Sequence, residues 1–336
     1  MSGGMSMMPF RPSRRALLAA ASLSAIPLGG GKAIAAEGDF NGFLAGLRRD
    51  AIAQGIRAGT VDLAFRYIQF LPRVIELDRH QPDHKLTFAE FMNKVVTEQR
   101  VEDARRNLAE NSALLQRVQQ RFNVQPRFIV SLWGIESGFG KTQGSYSVPA
   151  SLATLAYEGR RGALFRSELI VALKILDQGH IRPDNMLGSW AGAMGQCQFM
   201  PSTFLSYAVD FDGDGRRDIW NTRADVLGSI ANYLARLGWR GNESWGREVA
   251  VPGNFDARLV GLDNRRPLAE WIRMGVRPVG APLTGREAAE ASLLQPDGPG
   301  GRALLVFDNF RATMKWNKSV PFAAAVGMIA DGIDRG

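Results

Sequence analysis

A short helix that carries one carboxylate, predicted between Pro126 and Gly138, is the feature that most constrains how this chain can fold. Pro126 suits the first turn of a helix, and Gly138 ends the pattern. Three apolar residues share one face with the carboxylate, at positions i, i+3, i+4 and i+7, namely Ile129, Leu132, Trp133 and Glu136. We therefore expect a core helix with Glu136 on its apolar side.

The position of Glu136 predicts a shifted protonation equilibrium. A carboxylate beside an indole on a buried face loses hydration, which favours the neutral form and raises its pKa. A protonated carboxylic acid near neutral pH is what cleavage of a glycosidic bond needs at the leaving oxygen. The alternative is a Glu at a helix end that faces solvent or caps a neighbouring element.

The first 36 residues predict an export signal. Arg11, Arg14 and Arg15 precede an apolar run at 16–28, and a small-residue cleavage site follows at 33–36. The arginine pair fits a twin-arginine signal, although the apolar core would serve the general pathway too. The apolar run is too short to span a bilayer. We expect a periplasmic protein with no membrane span in its mature chain.

The cysteine content and the net charge limit how the fold can be stabilised and which partners it favours. Cys197 is the single cysteine, so no internal disulfide can form, and without a patterned His partner it suits a small buried position better than a nucleophile. The net charge is +8, and because the predicted signal holds four basic residues and no acids, the remainder carries +4. This excess favours an anionic cell-wall polymer or lipid headgroups, while no pattern typical of nucleic-acid binding occurs.

Periodicity along the chain predicts a mainly α protein with a small β-rich part. The charged stretch Thr97–Phe122 has helical spacing and fits one solvated helix, whereas Arg247–Val251 and Ala303–Phe307 have the pattern of strands. The predicted segments are an export signal at 1–36, an N-terminal helical domain at 37–122, a core at 123–246, a small β-rich insertion at 247–306 and a helical return to the core at 307–336.

A cation-binding loop is predicted at 210–225. Acids occupy positions 1, 3, 5 and 9 of the loop, namely Asp210, Asp212, Asp214 and Asp218. Gly215 at position 6 permits the sharp turn, and Arg216 at position 7 offers its backbone carbonyl. Calcium is the expected ion. We expect it to be structural, since it would pin a helix opened by Pro201 to one begun at Thr222 in a chain without disulfides.

The residue that closes this loop is open between two candidates. Position 12 is Asn221 rather than the usual bidentate Glu, and Asp225 could instead close a longer loop. Asp225 also fits a capping box with Thr222 at the start of the next helix. Both roles are compatible, because one carboxylate has two oxygens.

Taken together, the motifs resemble the lytic murein transglycosylase B family, exported enzymes that cleave peptidoglycan glycan strands. The matching segments, in chain order, are Leu132-Trp-Gly-Ile-Glu136-Ser-Gly-Phe-Gly, Ser151-Leu-Ala-Thr-Leu-Ala-Tyr157, Gly188-Ser-Trp-Ala-Gly-Ala-Met-Gly195, Gln198-Phe-Met-Pro-Ser202, Ala208-Val-Asp-Phe with Gly213-Asp-Gly, Gly228-Ser-Ile-Ala-Asn-Tyr233, and the tail from Asp308 to Ser319 with Trp316-Asn317-Lys-Ser319.

The resemblance implies a lysozyme-like catalytic core, an N-terminal helical domain and an inserted β domain, with Glu136 as the single catalytic acid. It also implies substrate-binding roles for Ser189, Gln198, Tyr233, Phe310, Trp316 and Asn317, where ordinary loop hydrogen bonding is the alternative for Ser189 and Gln198. The family often carries tyrosines where this chain has Phe310 and Trp316, so ring stacking on a sugar would survive but a hydroxyl hydrogen bond would not. In the family's calcium loop the closing acid lies beyond position 12, which favours Asp225.

The matched motifs contain no second acid, since Glu158, Glu168 and Asp177 suit surface roles. The expected activity is therefore that of a lytic transglycosylase, which cleaves the MurNAc–GlcNAc β-1,4 bond and leaves a 1,6-anhydromuramic acid end without an organic cofactor. The expected partner is the peptidoglycan glycan strand, and a monomer is expected. Two alternatives are a hydrolytic muramidase, which would leave a reducing end, and a non-catalytic calcium-dependent wall-binding protein.

Overall fold

The computed structural model describes residues 37–80, 86–280, 282 and 289–334, so the predicted export signal at 1–36 lies outside the described residues. Over this part of the chain the protein has 14 α-helices and two small antiparallel sheets. The predicted mainly α architecture with a small β-rich part is confirmed. None of the helices in the described ranges has both the length and the apolar character needed to cross a membrane.

The helices are numbered in chain order. They are α1 (Glu37–Ala53), α2 (Ala58–Phe65), α3 (Pro72–Arg79), α4 (Phe88–Val95), α5 (Glu98–Glu110), α6 (Ser112–Phe122), α7 (Pro126–Ser137), α8 (Val148–Glu158), α9 (Gly162–Asp177), α10 (Pro201–Tyr207), α11 (Arg223–Arg236), α12 (Leu268–Arg273), α13 (Asp308–Trp316) and α14 (Val320–Asp334).

Two compact units share these elements. The first comprises the described residues up to Arg79 together with Thr142–Ser202, and within it α8 packs along α9. It also contains a short antiparallel pair of strands, β1 (Tyr146–Ser147) and β2 (Leu187–Gly188), with α8 and α9 between them in the chain. The second comprises the described residues of 80–141 and those from Thr203 onward, and within it α7 packs against α5, α11 and α14.

The stretch predicted as one charged helix, Thr97–Phe122, is instead two helices that meet at Asn111. The backbone of Asn111 leaves the helical region at φ −110° and ψ 14°. Its side-chain amide donates to the carbonyl of Asn107 at 2.7 Å, and its Oδ1 accepts from Arg223 at 3.3 Å. An asparagine side chain competes with the backbone ladder in this way, which accounts for the break.

The β-rich part is a five-stranded antiparallel sheet in the order β4-β6-β7-β3-β5. Its strands are β3 (Gly246–Ala250), β4 (Arg266–Pro267), β5 (Arg277–Pro278), β6 (Glu290–Leu294) and β7 (Ala303–Val306). Both predicted strands are confirmed: β3 lies one residue earlier than predicted at each end, and β7 ends one residue earlier than predicted. Each edge strand has two residues and ends in proline, which removes an exposed backbone donor and discourages further pairing.

A carboxylate from the sheet region caps a helix far away in sequence. Asp297 accepts hydrogen bonds from the backbone N–H groups of Phe88 at 2.7 Å and Ala89 at 3.1 Å, at the start of α4. The same helix start is closed by a capping box between Thr87 and Glu90. The first N–H groups of a helix have no partner within it, so both devices satisfy otherwise unpaired donors.

Candidate active site

Helix α7 places Glu136 inside the protein. The helix starts at Pro126 and ends where Gly138 adopts the left-handed conformation at φ 58°, as predicted from the sequence. The predicted apolar face is buried, and Glu136 is only 3% exposed. Phe128 and Val130 are fully buried as well, so the helix is enclosed on more than its predicted face. A surface or capping role for Glu136 does not fit this placement.

One polar partner of Glu136 is an indole that lies 180 residues further along the chain. The Nε1–H of Trp316 donates to Oε1 of Glu136 at 2.6 Å, and both side chains are buried. We expected the neighbouring indole to be that of Trp133, whose ring is covered by the edge of Phe139 and by the guanidinium of Arg223. Although Trp316 has no hydroxyl, its N–H supplies a hydrogen-bond donor.

Trp316 is held by a stack of aromatic rings. The ring centroids of Trp316 and Tyr233 are 4.6 Å apart, and those of Tyr233 and Tyr207 are 4.4 Å apart. The hydroxyl of Tyr233 donates to the backbone carbonyl of Lys315 at 3.1 Å. Tilted ring pairs at these separations are favourable beyond the area they bury. The stack therefore restricts the movement of the indole beside Glu136.

The chain leaves the Glu136 helix through an unusual turn that the sequence did not predict in detail. Phe139 has φ 61°, a left-handed conformation that is rare for a bulky residue. Its ring lies against the backbone of Gly134, where an added Cβ would come within 2.6 Å of Phe139 Cζ. The N–H of Gly140 donates to Ser137 Oγ at 3.0 Å. The glycine at 134 thus leaves room for the ring that closes the turn.

Two other residues of the C-terminal motif differ in their surroundings. Phe310 is fully buried and packs against Trp245, with ring centroids 6.2 Å apart, so a sugar could reach its ring only if that packing opened. Asn317 is 9% exposed, and its side-chain Nδ2 is buried without a hydrogen-bond partner. Asn317 therefore has a donor available for a ligand.

Ser189 and Gln198 lie in the first compact unit, whereas Glu136, Tyr233, Phe310, Trp316 and Asn317 lie in the second. The Oγ of Ser189 accepts from the N–H of Ala193 at 3.0 Å. The side-chain amide of Gln198 donates to the carbonyls of Gln143 at 3.0 Å and Gly195 at 2.8 Å. Gln198 has φ 51°, and a non-glycine residue in this region is typical of strained functional positions.

The three other acids considered from the sequence are engaged elsewhere in the first unit. Glu158 pairs with Arg79 at 2.9 Å, and Asp177 pairs with Arg57 at 2.8 Å. Glu168 is 8% exposed, so the predicted surface role is wrong for it. Its carboxylate accepts from the N–H and the hydroxyl of Ser202 at 2.9 and 2.6 Å, which satisfies the start of α10.

The predicted cation loop brings three carboxylates together. Asp210, Asp212 and Asp214 each offer an oxygen within 4.8 Å of the others. The backbone N–H groups of Gly213 and Gly215 donate to Asp210 at 2.6 and 2.8 Å, so the loop backbone fixes this carboxylate. At the seventh position, the N–H of Arg216 donates to Asp214 at 2.8 Å. Clustered oxygen ligands on a turn of this kind fit a hard cation such as calcium.

Asp225 holds the same loop from inside. It is fully buried, and its two oxygens accept from the N–H groups of Phe211 and Asp218, each at 2.7 Å. Burial raises the pKa of Asp225 to about 6. Thr222 starts α11 without a side-chain hydrogen bond, so the predicted capping box with Asp225 does not form. The side chain of Asn221 donates to Asp218 at 3.1 Å.

Known proteins are similar to this chain over most of the described residues. The family model described as a transglycosylase SLT domain matches residues 39–331. Over 223 residues the chain is 34% identical to the membrane-bound lytic murein transglycosylase B of Escherichia coli K12, a match that covers 65% of this chain and 60% of that protein. The chain thus spans less than two thirds of that relative's length.

Solved structures extend the likeness to the fold. SltB3 from Pseudomonas aeruginosa, solved with NAG-anhNAM-pentapeptide, is 45% identical with a TM-score of 0.85, covering 88% of this chain and 80% of that one. Escherichia coli Slt35, solved with calcium, is 26% identical with a TM-score of 0.73, covering 91% and 95%. These neighbours are lysozyme-like, which confirms the predicted fold class. The chain belongs to the transglycosylase SLT domain family.

Proposed function

We propose that this protein is a periplasmic lytic transglycosylase that cleaves the MurNAc–GlcNAc β-1,4 bond of peptidoglycan and leaves a 1,6-anhydromuramic acid end. The observation that carries the proposal is the buried carboxylate of Glu136, with the indole N–H of Trp316 hydrogen-bonded to one of its oxygens. Membership of the transglycosylase SLT domain family supports it. So does the structure of SltB3, whose ligand contains an anhydro sugar.

In the first step Glu136, as the neutral acid, protonates the glycosidic oxygen and the bond to the anomeric carbon breaks. Burial favours the neutral form that this step requires. The 2-acetamido group of the muramic sugar stabilises the cationic centre, so a second carboxylate is not needed. General acid catalysis of this kind contributes about 10²–10⁴-fold in rate.

In the second step the Glu136 carboxylate removes the proton from the C6 hydroxyl of the same sugar. The hydroxyl oxygen bonds to the anomeric carbon and closes the anhydro ring, and Glu136 returns to its starting form. Water is not consumed, because the sugar's own C6 oxygen replaces the leaving oxygen at the anomeric carbon, so the enzyme is a lyase by outcome. Ser189, Gln198 and Asn317 would orient the acetamido and hydroxyl groups of the substrate, with Asn317 providing its unpaired amide donor.

We also propose that the loop at 210–225 binds calcium in a structural role. Asp210, Asp212 and Asp214 would supply carboxylate oxygens and Arg216 its carbonyl, while Asp225 closes the loop around them. The ion would neutralise the clustered acids and hold the loop between α10 and α11. The calcium-bound structure of Slt35 supports this proposal.

The proposed function is tested with Glu136→Gln on purified peptidoglycan. The amide is nearly isosteric but cannot deliver a proton, so we expect an intact fold and turnover reduced by at least about 10²-fold. The matched control is Glu158→Gln, which neutralises an acid of the first unit that pairs with Arg79 and should stay close to wild-type activity. A Glu136→Gln variant that keeps more than about a tenth of the activity would contradict the role.

Mass spectrometry of the released muropeptides separates the alternatives. Anhydro products are lighter than reducing-end products by one water, so reducing ends would identify a hydrolytic muramidase. Binding to sacculi with no released fragments, unchanged by Glu136→Gln, would identify a non-catalytic wall-binding protein.

A further inference from the structure

We propose that Trp316 is a positioning residue for Glu136, and that it determines which oxygen of the carboxyl group carries the transferred proton. This inference rests on the proposed function, because it assigns a task within the proton transfers of that reaction. The resemblance to the family implies a sugar-binding role for Trp316, and the hydrogen bond to Glu136 points to this different one.

The chemistry of the indole makes the assignment specific. An indole N–H can only donate, so Oε1 of Glu136 is always the acceptor of the 2.6 Å bond. When Glu136 is neutral, its carbonyl oxygen is a stronger hydrogen-bond acceptor than its O–H oxygen, so the bond from Trp316 favours Oε1 as the carbonyl oxygen and Oε2 as the oxygen that carries the proton. A hydroxyl at this position could donate or accept and would leave the choice of oxygen open.

The surroundings of Trp316 hold the donor in one orientation. Trp316 is 5% exposed, and its ring packs on Tyr233, which packs in turn on Tyr207. The Tyr233 hydroxyl is bonded to the carbonyl of Lys315, the residue before Trp316, so ring and backbone are tied together. On the outer side, the guanidinium of Arg236 lies 5.3 Å from the centre of the Tyr207 ring. Tyr233 thereby supports the indole that orients the acid.

The kinetic test compares two tryptophans in the same compact unit. Trp316→Phe keeps an aromatic ring but removes the N–H from Glu136. Trp245→Phe is the matched control, because the indole of Trp245 is also buried and also donates to a carboxylate, Asp331, at 3.1 Å. Misplacement of a reacting group lowers kcat rather than binding, so we expect Trp316→Phe to lower kcat by about tenfold to a hundredfold with KM unchanged within about twofold.

The control Trp245→Phe should stay within about threefold of wild-type kcat, since its bond lies outside the reacting groups. The proposal is overturned if the two variants lose kcat equally, or if Trp316→Phe changes KM alone. If the wild-type protein releases no fragments, the proposed function is wrong, and the role of Trp316 is then tested by the second measurement alone.

The second measurement needs neither turnover nor a folded Trp316→Phe variant. The indole N–H signals of the wild-type protein and of Glu136→Gln are compared by ¹H–¹⁵N NMR of the whole protein. We expect the Trp316 signal to move when its acceptor changes from a carboxyl to an amide, while the Trp245 signal stays in place. A Trp316 signal that is the same in both proteins would overturn the proposal.

Discussion

At the scale of single residues, the side chain of Asn317 stands out because its buried Nδ2 donor has no hydrogen-bond partner. Six buried side-chain nitrogen or oxygen atoms in the described residues are unpaired, and four of them are Nε atoms of arginines whose guanidinium groups bond elsewhere. A buried donor without a partner costs about 1–3 kcal/mol, which a ligand that accepts the hydrogen bond would recover.

We therefore predict that Asn317→Ala leaves the free energy of unfolding unchanged within about 0.5 kcal/mol or raises it, while KM for peptidoglycan fragments rises about tenfold. The matched control is Asn309→Ala. Asn309 is fully buried and bonds to Arg240 at 2.8 Å and to the carbonyl of Glu243 at 2.9 Å. Its loss should cost about 2–4 kcal/mol with little change in KM. Urea unfolding and initial rates measure both quantities, and a large loss of stability in Asn317→Ala would contradict the prediction.

At the scale of secondary-structure elements, helix ends were predictable and helix breaks were not. Pro126 and Gly138 set the ends of α7 through local backbone restrictions, which a sequence displays directly. The break at Asn111 depends partly on a hydrogen bond from Arg223, 112 residues away. A pattern read over a few neighbouring residues contains no information on such a partner.

The packing of Phe139 on Gly134 gives a prediction at this scale. Gly134→Ala would place a Cβ 2.6 Å from Phe139 Cζ, so the ring and the turn after Glu136 must shift. We expect a loss of about 1–3 kcal/mol in the free energy of unfolding, together with reduced activity.

The control for this substitution is Gly59→Ala in α2, where an added Cβ meets nothing within 4 Å. Alanine is favoured over glycine in helices, so this variant should be stabilised by up to about 1 kcal/mol. Chemical denaturation measures the free energy of unfolding of both variants. Equal effects at the two glycines would contradict the view that Gly134 leaves room for the ring of Phe139.

At the scale of the whole molecule, the single cysteine means that no internal disulfide can stabilise the fold. Stability must therefore come from the core and from the proposed calcium ion. Three clustered carboxylates repel one another without a cation, so removal of calcium should lower the Tm at pH 7.5. At a calcium concentration of 100 Kd the expected difference is about 5 °C. Asp212→Asn should lose most of the response, and a Tm that is the same in calcium and in chelator would contradict the proposal.

The pKa of Asp225 gives this effect a pH dependence. The pKa of Asp225 is about 6 in the folded chain, which is above the ordinary value for an aspartate. At a pH between the ordinary value and 6, the calcium-free folded protein therefore binds more protons than the unfolded chain. The free energy of unfolding of the protein without calcium, in the presence of a chelator, therefore falls as the pH rises through about 6. The gain in Tm from calcium should be larger at pH 7.5 than at pH 5, and thermal scans at both values measure it.

Much of the architecture and of the candidate site followed from short motifs, and the remainder depended on distant contacts. The Glu136 helix, the acidic loop and the strands beginning near Arg247 and Ala303 are local patterns with local causes. The indole that bonds Glu136 lies 180 residues away, and the sequence favoured Trp133 because it is close along the chain. Likewise, the burial of Glu168 depends on Ser202, which no helical periodicity could indicate.

The cap that Asp297 places on α4 has a consequence for protein engineering. Replacing the sheet region by a short linker would remove Asp297 and leave the N–H groups of Phe88 and Ala89 without their acceptor. If this region is exchanged for that of a relative, the new sequence should therefore place a carboxylate at the position of Asp297.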